Sequence, residues 1–352
     1  MATIKDVAGR AGVSIGTVDR VLNDRGRVAP ETLRRVRQAI HDLNYSPNLT
    51  ARHLSMAKTY TFGVMMPDVT HDNGYWALPQ GGVARAAQDL AFHNVSARYF
   101  FFNQYSSDSF NECSRQVLEA GLDGLVLAPV LSRPARHFLE TISTEHSFPV
   151  VLFDCHVETS APCTFVGQDP FTSGLVAGKL LRILSRGGTT QVVVTVGTDD
   201  YHLARRAEGF HRFFESDPTV RIRSIELDRE AGNNPSDDLS GKMPGDLSDV
   251  SGIFVTNALC HLVVTYLESR GVPRHIPLVA YDLIPENVEY LREGRIDFAI
   301  SQEPETQGYH ALYELYRQVV LGSPPSGMIP MPIELVTREN LDSYLQARAD
   351  TA

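Results

Sequence analysis

The sequence predicts two unlike parts, a small all-α head of three short helices and a large α/β body built on parallel sheets. Three observations carry that expectation. The chain has 352 residues, more than one small core organises, since single domains usually hold ~100–200. Apolar residues recur at helical spacing as far as Leu43, and from Tyr60 onward they form short runs alternating with longer helical stretches. Charge changes with the pattern. Residues 1–58 hold ten Lys and Arg against five Asp and Glu (net +5), the remainder twenty-two against thirty-seven (net −15), within an overall −10.

In the head, Thr3-x-x-Asp6 is a capping-box start, followed by Val7, Ala8 and Ala11 on one face. Gly12-Val13 makes the turn. Ser14 caps a second helix that buries Val18, Val21 and Leu22, leaving Ile15, Gly16, Thr17, Asp19 and Arg20 on or near the exposed side. Residues 24–27, DRGR, form a loop. Pro30 opens the third helix, whose buried stripe is Leu33, Val36, Ile40 and Leu43. After NYSP comes a further helical stretch, Asn48 to about Ala57, with Leu49, Leu54 and Met56 as its apolar residues. Isolated helices below ~12–15 residues are marginal in water, so this segment is expected to order only conditionally.

The body strands are TFGVMM, SARYFFF, GLVLAP, PVVLFD, QVVVTV, GIFVTN, PLVAYD and FAIS. Near-continuous apolar runs separated by helices specify parallel sheets covered on both faces. Asp154, Asn257 and Asp282 end three of these runs, at the carboxyl edge where open α/β sheets bind ligands. Residues 228–249 are expected to be a loop-rich insertion, and no internal repeat stands out.

Several function classes lose support. Cys113, Cys155, Cys163 and Cys260 are far apart or isolated, without a C-x-x-C pair, and are expected to be buried free thiols. Lys5, Asp6 and Arg10 interrupt any secretory apolar run, and no stretch approaches the ~18 apolar residues of a membrane helix, so a cytoplasmic protein without membrane contact is expected. Gly12-Val13-Ser14-Ile15-Gly16 fits G-x-S-x-G, but a nucleophile elbow needs a strand before it, and here a capped helix precedes it. GLVAGK, residues 174–179, has too few residues between its glycines for a phosphate loop and is expected to pack a helix on a sheet. No catalytic, metal or cofactor signature is present, and no enzyme is expected.

Helix lengths, the glycine turn, basic bias and polar residues at the start of the second helix together describe a helix-turn-helix that reads DNA. TIKDVAGRAGVSIGTVDRVLN, followed by RVAPETLRRVRQAIHDLNYSPNLTARHL, resembles the head and hinge of the lactose-repressor (LacI/GalR) family of bacterial transcription regulators. The body is similar, through isolated landmarks over about residues 62–340, to that family's two-lobed periplasmic-binding-protein-like domain, in which the chain crosses three times between lobes around a small effector.

The resemblance implies a dimeric or higher homo-oligomeric repressor, binding pseudo-palindromic operator DNA under control of a monosaccharide or derivative. Its head would span residues 1–46, its hinge 47–60 and its effector domain 61–345, with lobe 1 at about 61–165 and 293–325 and lobe 2 at about 166–292 and 326–345. Ile15, Gly16, Thr17 and Arg20 would face the major groove, Arg20 as a bidentate guanine contact. Thr3, Ser14, Asn23, Asn48, Ala51 and Arg52 are the further DNA positions, and Leu54 would wedge into a central minor-groove step. For the effector, LARRAEGF places Arg206, FVTNA Asn257, VAYD Asp282 and ISQEP Gln302. Asp154 and Tyr75 or Trp76 would complete the pocket, with His156 and His202 at its surface or behind it.

Two departures stand out. Asp19 replaces a serine common in the family, and either accepts from cytosine N4 or orients Arg20 or Arg25. Ala258 replaces an aspartate after Asn257. With Arg206 balanced by Asp154 and Asp282, a neutral monosaccharide or polyol is expected, a sugar acid or phosphorylated sugar being the alternative. A sugar-binding transport receptor and a sugar-modifying enzyme are the rival classes, set against the basic head and the missing catalytic constellation.

Overall fold

The computed structural model describes residues 3–22, 28–43, 58–185, 188–196, 201–228, 235–272 and 275–351. The chain divides into two compact units, Met1–Lys58 and Thr59–Ala352. In the first, α1 (Ile4–Ala11), α2 (Ile15–Leu22) and α3 (Pro30–Asp42) follow the expected order. Thr3 Oγ1 accepts from the Asp6 N–H at 3.3 Å while the Asp6 carboxylate accepts from the Thr3 N–H at 2.7 Å, the reciprocal capping box read from sequence. Val7, Ala8, Ala11, Val18, Val21, Val36 and Ala39 form the core. Leu33, Ile40 and Leu43 are only partly buried around it.

The second unit contains two six-stranded sheets. The first holds β1 (Tyr60–Pro67), β2 (Val95–Phe102), β3 (Gly124–Leu127), β4 (Val150–Phe153), β5 (Thr164–Gly167) and β11 (Met328–Pro330), in the order β11-β5-β4-β3-β1-β2 and parallel throughout. The second holds β6 (Thr190–Val196), β7 (Arg221–Leu227), β8 (Val250–Val255), β9 (Leu278–Tyr281), β10 (Phe298–Ser301) and β12 (Glu334–Val336), in the order β12-β10-β9-β8-β6-β7. Its β12 edge is antiparallel. Strands β3, β4, β8 and β9 are buried at every residue, which explains their unbroken apolar runs.

Helices α4 (Ala77–Asp89), α5 (Ser107–Glu119), α6 (Ser132–Glu145) and α12 (Pro304–Val319) belong to the first lobe. Helices α7 (Pro170–Leu184), α8 (Tyr201–Phe214), α9 (Pro235–Lys242), α10 (Cys260–Ser269), α11 (Pro285–Arg292) and α13 (Leu341–Thr351) accompany the second. Among the described residues no helix is long and apolar enough to cross a membrane.

The chain passes between sheets after β5, after β10 and after β11, giving three crossovers. One buried side chain joins all three. Gln168, in the first crossover, donates through Nε2 to the carbonyl of Ser301 at 3.0 Å and to that of Pro332 at 2.6 Å.

Three expectations need correction. Phe298–Ser301 pairs with β9 and lies in the second sheet, whereas Met328–Pro330 pairs with β5 in the first. The expected limits 293–325 and 326–345 therefore sit too early, because the chain crosses only after a strand has finished pairing. Residues 228–249 contain α9, favoured by Asp237 and Asp238 in its first turn and by the Asp238–Lys242 pair at 2.9 Å. Cys163 is half-buried, unlike the other three thiols.

GLVAGK packs its helix on the second sheet as expected, with Ala177 in the core beside Val193, Phe254 and Val279, and its glycines in addition pack helix on helix. A β-carbon on Gly174 would stand 2.1 Å from the carbonyl oxygen of Arg206, and one on Gly209 2.0 Å from that of Phe171, so α7 and α8 touch through their backbones. The first lobe repeats the device between α4 and α12, where Gly82 meets Glu305 and Gly308 meets Pro79.

Alanine is the better helix former by ~1 kcal/mol, yet overpacking costs ~1–3 kcal/mol where backbone cannot yield. Gly209→Ala is therefore expected to destabilise the body, lowering its urea midpoint while leaving unfolding of the head unchanged. A raised midpoint would mean that α7 and α8 separate freely.

Candidate functional site

In the head, Ser14, Ile15, Gly16 and Arg20 are exposed around the start and outer face of α2, and Thr17 is half-buried. Ser14 Oγ accepts from the Thr17 N–H at 3.2 Å and shares a hydrogen bond with Thr17 Oγ1 at 2.9 Å, so the cap also fixes the Thr17 rotamer. Ile15 leaves 44% of its surface in solvent, an apolar side chain available for contact at the start of α2. Thr3 is exposed at the end of α1. Asn23, Asn48, Ala51, Arg52 and Leu54 lie outside the described residues, as does the expected hinge helix.

In the body, every expected effector residue lines one cavity between the lobes. Tyr75, Trp76 and Asp154 come from the first lobe, Arg206, Asn257 and Asp282 from the second, and Gln302 from the crossover after β10. The cavity measures about 40 Å³. One water occupies ~30 Å³ and ligand pockets hold ~300 Å³ or more, so the lobes are closed on one another.

The two aspartates occupy corresponding places. Asp154 follows β4 and Asp282 follows β9, each with φ of 62°. The Cys155 N–H donates to the Phe153 carbonyl at 2.7 Å, a γ-turn around Asp154. Asparagine and aspartate tolerate such left-handed backbone better than other side chains, and the turn redirects the carboxylate out of the strand's alternation and into the cleft.

A hydrogen-bonded chain joins the walls. Tyr75 Oη donates to Asp154, and Gln302 Nε2 donates to Tyr75 Oη at 2.8 Å and to Asp282 Oδ2 at 3.2 Å. Arg206 donates to Gln302 Oε1 at 2.9 Å and to the Thr256 carbonyl at 2.8 Å, with its guanidinium 3.6 Å from the centre of the Tyr281 ring. Burial opposes the Arg206 charge, but Tyr281, Asp282, Asp154 and Tyr75 together raise its pKa above the ordinary value. Burial pushes Asp282 up to about 7, with Arg206 opposing and Asp154 adding to the shift. Burial, reinforced by Asp154 and Asp282, likewise holds the Tyr75 phenol protonated.

Trp76 is buried, edge-on to Phe153, and its indole N–H reaches Asp72 Oδ2 at 3.3 Å and Gln104 Oε1 at 3.2 Å. Asn257 is partly committed, because its Oδ1 accepts from the Leu259 N–H at 3.2 Å.

Beyond the seven expected residues, the wall also holds Asp72, Gln104 and His202. Asp72 and Gln104 could have been suspected from HDNGYW and FFFNQ, polar residues just beyond strand ends. His202 was expected at the surface or behind the pocket, yet it is 2% exposed and lines the cavity. Its position one helical turn before Arg206 was the available signal. Ligand-type atoms of Asp154, Cys155 and His202 lie within 4.8 Å of one another. The His156 N–H donates to His202 Nε2 at 3.0 Å, however, so the neutral ring carries its proton on Nδ1. Burial, then Arg206 and His156, keeps the ring neutral. His202 therefore turns a donor toward its surroundings and suits a hydroxyl or carbonyl oxygen better than a metal ion.

Comparison with known proteins matches this geometry at both ends. Residues 3–48 match the model of bacterial regulatory proteins of the lacI family, and residues 62–323 match a periplasmic binding protein domain. The ribose operon repressor of Bacillus subtilis is 29% identical over 296 residues, covering 82% of this chain and 83% of its own. The HTH-type transcriptional repressor PurR of Pasteurella multocida is 25% identical over 351 residues, covering 98% of this chain and all of its own. Among solved structures, a putative LacI transcriptional regulator from Bacteroides fragilis superposes with a TM-score of 0.74 at 27% identity, over 82% of this chain and all of that one. With a helix-turn-helix head, a two-lobed body of three crossovers and these relatives, the chain belongs to the lacI family of DNA-binding transcription regulators.

Proposed function

We propose that this regulator represses transcription as a homodimer on pseudo-palindromic operator DNA and is controlled by a neutral monosaccharide or cyclic polyol held between the lobes. In that arrangement the exposed start of α2 enters the major groove, Arg20 contacts a guanine, and two heads occupy two half-sites. One observation carries the effector reading. Arg206 Nε and Asp282 Oδ1 are buried without a hydrogen-bond partner among the described residues, and both residues line the cavity together with further donors and acceptors on both walls. An uncompensated buried donor and acceptor are costly, and vicinal hydroxyls, each both donor and acceptor, satisfy such a pair.

Charge favours a neutral ligand. Arg206 is the one guanidinium or ammonium group among the described residues lining the cavity, and Asp154 and Asp282 oppose it. A phosphate or sugar acid would need a second cation. The name of the ribose operon repressor makes D-ribose the natural first member of a panel.

The direct experiment binds purified protein to labelled promoter DNA from its own gene neighbourhood, with D-ribose, D-arabinose, D-galactose, myo-inositol and matching sugar acids and phosphates. A neutral compound is expected to change operator affinity. A response confined to the anionic compounds would overturn the neutral-ligand reading.

Arg20→Ala is expected to weaken operator binding by about 1–3 kcal/mol and to relax preference at one base position per half-site. Affinities for all four bases at that position check this, and equal losses on each would reduce Arg20 to a phosphate contact. The Asp282 carboxyl supplies a pH signature. Its folded pKa of about 7 exceeds the ordinary 3.8, so its stabilising contribution is complete in acid and lost as pH rises through neutrality. The ionised carboxylate is also the better acceptor for ligand hydroxyls. Effector affinity should rise from about pH 6 to 8, and Asp282→Asn should flatten both trends. Unchanged pH profiles in that variant would remove Asp282 from the site.

A further inference from the structure

The turn that precedes the cleft aromatics is unusual. Asp72 (φ 47°), Asn73 (φ 54°) and Gly74 (φ 85°) are left-handed in succession, although the first two carry β-carbons. Successive non-glycine residues in that region persist only where surrounding contacts over-determine them. Those contacts run in two directions. Asp72 accepts from the Trp76 indole N–H and from Tyr105 Oη at 3.3 Å each, holding the turn to the first lobe's wall. Asn73 reaches across to the second lobe, where its amide nitrogen lies 3.3 Å from His261 Nε2 on α10 and 3.2 Å from Glu286 Oε1 on α11.

The chemistry of this bridge is self-consistent. His261 Nδ1 lies 3.3 Å from the Ala258 carbonyl and must donate there, which leaves Nε2 as an acceptor. Glu286 offers a carboxylate oxygen. The two N–H bonds of one amide group satisfy both. The bridge shares no residue with the Arg206–Gln302 chain, so the lobes are fastened to one another at two separate places.

We infer that Asn73 is a positioning residue of the effector site, a latch whose amide holds the two lobes closed over the cleft and sets how long a bound effector stays. Its consequence for an effector rests on the cleft being the effector site, but closure itself does not. If a ligand is retained only by the closed form, its apparent affinity scales with the closed fraction, and losing the latch speeds release.

Trp76 is the single tryptophan of the chain and is 2% exposed in the cleft, so it reports closure without any ligand. Acrylamide quenching of Trp76 fluorescence in the full-length protein is the measurement. Asn73→Asp keeps the shape and the tolerance for left-handed backbone while removing both donors, and it should raise the quenching constant several-fold. Glu286→Ala, altered only on the opposite lobe, should raise it as well, and the double variant should add little to the larger single effect. The unfolding midpoint should stay within the range of ordinary surface substitutions. Quenching unchanged in Asn73→Asp, or fully additive effects of the two substitutions, would overturn the latch. With D-ribose as probe, stopped-flow release from Asn73→Asp should be about tenfold faster than from the wild type, the loss expected for two modest hydrogen bonds. Faster quenching with unchanged D-ribose release would confine the latch to the empty protein and overturn its role in retention. Failure of D-ribose to bind the wild type would count against that effector and leave the quenching result standing.

Discussion

Everything in the body turns on how three separate passages between the lobes are made to behave as one joint. The Gln168 side chain does this with a single amide, donating to two other crossovers and accepting from Tyr281 Oη. Because that amide is buried, leaving any of its hydrogen bonds unmade costs more than the net worth of making it, so the three segments keep a common geometry. Tyr281 extends the constraint into the cleft, since the Arg206 guanidinium lies over its ring. Joint and cleft are thus consecutive parts of one buried polar chain, Gln168 to Tyr281 to Arg206 to Gln302 to Tyr75 to Asp154.

The glycine contacts supply the matching rigidity of each lobe. The carbonyl that Gly174 approaches belongs to Arg206 itself, and the one that Gly82 approaches belongs to Glu305, three residues beyond Gln302. Close backbone packing therefore fixes the segments from which the cleft residues project. Interiors at crystalline density transmit such constraints rather than absorb them. A cleft whose walls are held this firmly changes shape mainly by relative motion of whole lobes, the kind of two-state element through which a ligand with unequal affinities shifts a population.

Much of this was legible in the sequence because periodicity reports burial. The capping box, the Ser14 cap, Pro30 and the unbroken runs of β4, β8 and β9 are local signals that tertiary context did not override. The carboxyl-edge rule found Asp154, Asn257 and Asp282 for the same reason. Signals failed where structure depends on partners distant in sequence. Strand β5 has only Phe165 and Val166 between a threonine and a glycine, β7 is an edge strand with only two of its seven residues fully buried, and β11 and β12 have three residues each, so none offers a strong pattern. The burial of His202 follows from closure of the lobes, and the glycines of α7 reveal helix-on-helix contact only once α8 is in place.

The corresponding placement of Asp154 and Asp282 has a wider consequence. Each lobe carries the same arrangement of an apolar strand, a left-handed aspartate at its end, and a helix pair in glycine contact. Such a body has the form of two similar halves facing one another across the cleft. Substitutions confined to one half leave the other as an anchor, so a new ligand can be acquired through intermediates that still bind something. A scaffold divided this way is readily diversified, by natural drift or by a mutant library restricted to one wall at a time.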